Sequence, residues 1–81
     1  MDQFTKSQRD EAILRRFAAC KFLDNLDDAM EHDETGDFAP AWALSSLDRA
    51  MEQLVLMRAC LQAVVTKDIR QAEAEALLDN A

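Results

Sequence analysis

The chain reads as an all-α protein, a two-helix antiparallel hairpin with helices over about 8–31 and 38–78, dimerising into a four-helix bundle. Three observations predict this. Ala, Leu, Met, Glu, Gln and Arg dominate the 81 residues, with one Gly, one Pro and no Tyr, so helix is favoured almost throughout. The single glycine, Gly36, and the single proline, Pro40, lie close together and mark one chain reversal. On both sides of that reversal, apolar residues recur at helical spacing.

The first helix has two competent N-caps, Thr5 and Ser7, and Ser7 is followed by Asp10 and Glu11, acids suited to the positive end of a helix. A start near Gln8 is expected. At about 100° per residue, Ala12, Ala19, Leu23, Leu26 and Met30 share one face, with Cys20 and Phe22 on its shoulders. Leu14 and Phe17 point the other way, so this helix is apolar on more than one side and a single partner helix cannot cover it.

Between Asp24 and Asp37 the chain carries Asp24, Asp27, Asp28, Glu31, Asp33, Glu34 and Asp37 and no Lys or Arg. The rest of the sequence balances nine acids against nine Lys/Arg, so the formal charge of -7 resides in this stretch. A turn that is also an acidic tip is expected here.

The second helix is expected to take Asp37 or a neighbour as cap and Pro40 in its first turn, where the missing N–H is harmless. No Gly or Pro interrupts it afterwards. Leu47, Met51, Leu54, Leu61 and Val65 form its apolar stripe, flanked by Leu44, Ala50, Met57, Val64 and Ile69; Ser45, Asp48, Arg49, Glu52, Lys67 and Arg70 form the solvated face. Around Val55–Val65 that polarity fails, because Leu56, Ala59, Cys60 and Ala63 occupy the would-be wet side. Turning near Gly36 pairs residues whose numbers sum to about 73, placing Lys21 by Glu52, Asp24 by Arg49 and Arg58 level with Arg15 and Arg16. A shift of one turn finds other pairs, and the segment after Arg70 has no partner in its own chain.

A chain of this size is one domain, and a lone copy buries only roughly 60% of its unfolded surface. With 49% hydrophobic residues, the composition points to a homodimer in which Leu14, Phe17, Val55, Leu56, Ala59, Cys60 and Ala63 form a dimer or partner patch. Arg58, inside the apolar stripe, either snorkels to solvent or makes an intersubunit ion pair. The dimeric arrangement resembles, in layout and composition only, the helical hairpins of plasmid and phage accessory proteins. No run is apolar enough for a membrane span and no signal-peptide pattern opens the chain, so a cytoplasmic location is expected. Cys20 and Cys60 sit in apolar helical stretches and read as small buried hydrophobes without a disulfide.

Candidate chemistry is sparse. Gly36 stands at the wrong offset for a calcium loop, and the only histidine, His32, lacks the Glu-x-x-His spacing of di-iron bundles, position 29 being Ala. His32 with Asp28 leaves a metal-binding bundle as a remote alternative. One histidine and no basic setting for either cysteine give no nucleophile, so an enzyme is not expected, nor is any cofactor. The string Ser45-Ser46-Leu47-Asp48 does not match the Asp-Ser-Leu attachment motif of acyl carrier proteins. Net charge disfavours direct nucleic-acid binding. The expected function is protein–protein interaction, with the acidic tip facing a functional surface, basic or nucleic-acid-binding, of a larger bacterial protein as an antagonist or modulator. The alternative is an assembly subunit whose apolar patches serve only oligomerisation.

Overall fold

The computed structural model describes residues 1–31 and 39–79, and among them all secondary structure is helical: α1 spans Gln3–Glu31 and α2 spans Pro40–Asp79. The helices are antiparallel, since Asp2 meets Lys67 near one end while Phe22 meets Arg49 toward the other. The molecule is a rod with principal extents of 72 × 18 × 13 Å.

Helix α1 starts five residues earlier than expected. The reason is Asp2, whose carboxylate Oδ1 accepts the Thr5 amide at 2.7 Å while its carbonyl accepts the Lys6 amide at 3.0 Å. That is N-cap geometry. Thr5 and Ser7, the expected caps, therefore lie inside the helix. Pro40 is the first residue of α2, as its fixed φ and missing N–H favour, and the Ala43 amide closes the first turn on the Ala39 carbonyl at 2.9 Å. The Asp37 cap and the turn at Gly36 fall outside the described residues.

Contact between the helices follows alternating spacings of three and four. On α1 the seam is Thr5, Gln8, Ala12, Arg15, Ala19, Phe22, Leu26 and Ala29; on α2 it is Ala43, Ser46, Ala50, Gln53, Met57, Cys60, Val64 and Lys67. Each of these is buried or half-buried, which is the signature of coiled-coil packing. The deepest positions are alanines: Ala19 is 2% exposed and Ala50 1%. No large side chain is fully buried among the described residues.

This overturns the expected inner face. Leu47, Met51, Leu54, Leu61 and Val65 do not face α1; Met51 is 54% and Leu54 47% exposed, and Leu44, Ile69, Leu23 and Met30 are exposed as well. Alanine permits the two backbones to approach toward the short end of the usual 8–10 Å range, which a leucine stripe does not. Ala12, Ala19 and Leu26 of the expected α1 face do lie in the seam, whereas on α2 the seam runs through Ala50, Met57 and Val64, expected only as flanks of the stripe.

Register differs too. Arg15 pairs with Gln53 and Asp2 with Lys67, about one helical turn from the expected alignment. Arg49 stands over the Phe22 ring at 6.0 Å rather than beside Asp24, and the expected Lys21–Glu52 pair is not formed. With this shift Arg58 falls level with Glu11 rather than with Arg15 and Arg16, and it is exposed. Cys20 is exposed and Cys60 half-buried; both are free thiols.

Enlarging the seam tests its placement. Ala50→Leu overpacks a buried layer of the seam and is expected to cost about 1–3 kcal/mol, lowering the thermal midpoint followed by circular dichroism. An unchanged midpoint would return the seam to the Leu47 stripe.

Candidate interaction surfaces

In an antiparallel pair, residues one place C-terminal to the seam on both helices fall on one side of the hairpin, and residues one place N-terminal to it fall on the other. The two sides have different chemistry. The first carries Lys6, Arg9, Ile13, Arg16, Cys20, Leu23, Asp27 and Met30 from α1 with Leu44, Leu47, Met51, Leu54, Arg58, Leu61, Val65 and Asp68 from α2. All of these are exposed; the charged ones are Lys6, Arg9, Arg16, Asp27, Arg58 and Asp68, and from Leu44 to Val65 the α2 row is apolar apart from Arg58.

The second side is grooved and mixes apolar with charged residues. One open groove is lined by Phe4, Ala59, Gln62, Ala63, Thr66, Lys67 and Arg70, and another by Phe22, Asn25, Trp42, Ser45, Ser46 and Arg49. Two cations lie over rings here: Lys67 Nζ is 5.2 Å from the Phe4 centroid, and Arg49 covers Phe22. Arg15, half-buried in the seam, donates from Nε and Nη2 to Glu11 Oε1 at 2.9 and 2.8 Å and from Nη1 to Gln53 Oε1 at 3.2 Å.

The patch expected from sequence is divided by this geometry. Leu14, Leu56, Ala59 and Ala63 share the grooved side, Phe17 and Val55 lie on the outer backs of opposite helices, and Cys60 belongs to the seam. Arg58 is exposed on the apolar side. The polar seam members Ser46, Arg15 and Gln53 went unnoticed in sequence; the signal that marks them is the seven-residue spacing of Ala12 with Ala19 and of Ala43 with Ala50.

At the turn end, Asp24, Asp27, Asp28 and Glu31 are all exposed on the last two turns of α1. The remaining acids of the expected tip, Asp33, Glu34 and Asp37, lie outside the described residues, as does His32. Among the described residues no three His, Cys, Asp or Glu side chains are grouped to hold a metal ion, and no helix is long and apolar enough to cross a membrane.

At the opposite end, the Asp2 carboxyl is held well below the usual carboxylate range, chiefly by the hydrogen bond from Lys67 Nζ and then by the Thr5 amide. Comparisons of the chain with protein-family models, curated proteins and solved structures give no match.

Because the folded-state value of Asp2 is lowered, this tie is complete above the ordinary carboxylate range and is lost only as pH falls below it. A carboxyl-carbon titration by NMR is expected to place the Asp2 midpoint below that of an ordinary aspartate. In Lys67→Ala its midpoint is expected to move up toward the ordinary Asp value of about 3.9.

Proposed function

We propose that the protein is a non-enzymatic protein–protein interaction module. It associates with itself into a four-helix bundle and presents its acidic ends to a basic, functional surface of a larger protein, which it antagonises or modulates by occlusion. The observation that carries this reading is the division of side chains. Alanines and polar residues fill the deepest layers of the hairpin, with Phe22, Leu26, Met57 and Val64 half-buried beside them, while most of the large apolar residues, Leu54 and Met51 among them, are left outside. An apolar side of that extent on a soluble rod is an interaction surface by ordinary physical criteria.

The acidic end supplies the second half of the reading. Asp24, Asp27, Asp28 and Glu31 are exposed with no Lys or Arg between them. Concentrated charge of one sign steers a rod toward a surface of the opposite sign and speeds encounter in a salt-dependent way. A role in assembly alone shares the apolar side with this proposal but assigns no task to the acids beyond solubility.

Affinity capture from a host lysate separates these two. The full chain is expected to retain a protein partner at low ionic strength and to release it at about 1 M salt, where the screening length falls to about 3 Å. The variant Asp24→Lys, Asp27→Lys, Asp28→Lys, Glu31→Lys is expected to lose that partner under all conditions. A partner set unaltered by charge reversal would leave the acids with solubility alone.

A further inference from the structure

The exposed apolar side contains a second seam. Along α2, Leu44, Leu47, Met51, Leu54, Arg58, Leu61 and Val65 repeat at alternating spacings of three and four, as the inner seam does one position away. One helix thus carries two coiled-coil faces, and α1 uses only the first.

We infer that a second copy of the chain packs on this face antiparallel, α2 against α2, with the two-fold axis at Leu54. The inference takes self-association from the proposed function and adds the face and the direction. Three observations carry it.

The first is area. A compact monomer of 9.1 kDa exposes roughly 4,900 Å², whereas this chain exposes 6366 Å². The excess, about 1,500 Å² over the whole chain, is large enough to supply the roughly 1,000–2,500 Å² that each partner of an obligate homodimer removes from water.

The second is the pattern of the seam itself. Counted outward from Leu54, it is nearly palindromic: three, seven and ten positions one way reach Met51, Leu47 and Leu44, and four, seven and eleven the other way reach Arg58, Leu61 and Val65. Antiparallel packing about Leu54 therefore sets Leu47 against Leu61 of the second copy and Leu44 against Val65 of the second copy. Every layer is fully apolar except the two symmetry-related ones that hold Arg58.

The third is charge. Parallel packing in register puts Arg58 against Arg58 of the second copy and brings two acidic ends together. Antiparallel packing removes both repulsions. It sets Arg58 against Met51 of the second copy, with that copy's Asp48 and Glu52 flanking the methionine within a helical turn, and it sends the acidic ends to opposite poles. Desolvated like charges discriminate between arrangements more strongly than surface ion pairs do.

Sedimentation equilibrium and cysteine cross-linking of the full chain test the inference together. The expected mass at tens of micromolar is twice 9.1 kDa, and Leu54→Glu is expected to halve it. In a Cys20→Ala, Cys60→Ala background, Leu54→Cys is expected to give a covalent dimer with a short bismaleimide. Leu44→Cys alone is expected to give none, and the pair Leu44→Cys, Val65→Cys to give one. A dimer in which Leu44→Cys links to itself as readily as Leu54→Cys overturns the antiparallel direction. A dimer that none of these cysteines links overturns the face. A wild-type chain that stays monomeric overturns self-association and, with it, that part of the proposed function. If Leu54→Glu loses its helicity, the cross-linking pattern decides alone.

Discussion

The close approach of two alanine-rich helix faces is the constraint on which the rest of this molecule depends. Ala12, Ala19, Ala29, Ala43 and Ala50, with Ser46, are the buried residues among those described, and each withdraws little more than a methyl group from water. At about 0.8 kcal/mol per buried methylene-sized group, such a seam yields far less than one of leucines. It offers fit and backbone proximity rather than hydrophobic area. A hairpin held this way specifies which faces meet while leaving most of its apolar surface for another contact.

The polar members of the seam then fix the register. Arg15 is tied to Glu11 on its own helix and to Gln53 on the other, and sliding the helices by a turn separates it from Gln53. Lys67 does similar work at the open end, where it meets both Asp2 and the Phe4 ring. Arg49 over Phe22 supplies the same kind of contact toward the turn. Alanine layers alone are nearly equivalent from turn to turn, so these three cations single out one alignment.

Much of the architecture was legible in the sequence because it rests on strong local signals. Scarce Gly and Pro gave two helices, Pro40 gave the start of α2, and the lack of later breakers carried α2 to Asp79. The inner faces were less legible for a physical reason. Periodicity weighs side chains by apolarity, and by that measure the Leu47–Val65 stripe outranks a line of alanines one position away. Which stripe meets the neighbouring helix is decided by how closely the backbones can approach, and that depends on smallness. The start of α1 was missed for a different reason: Asp2 has two acceptors in use, the carbonyl in the first helical bond and the carboxylate on the Thr5 amide, and its cross-chain partner Lys67 lies 65 positions away. The candidate patch mixed residues from three sides because assigning a residue to a side requires knowing the seam first.

Charge and apolarity are separated along this rod as well as around it. The acids of the α1 terminus lie at one end, whereas the α2 flank from Leu44 to Val65 contains no acid and a single base, Arg58. Beyond it, α2 continues past the level of Gln3, and Leu77 and Leu78 are 73% and 75% exposed. A uniformly mixed surface keeps a domain dispersed; a sorted one makes its regions suited to different kinds of contact. The middle of the rod is suited to contacts driven by loss of apolar surface, which salt strengthens or leaves unchanged. The turn end is suited to contacts that salt weakens. Two contacts of opposite salt dependence on one hairpin need not compete, since occupying the flank leaves the end free, and an antiparallel pair offers two such ends to one large target. A target with two basic sites at matching separation would then be held by both ends at once, and the second attachment gains from the effective concentration set by the first.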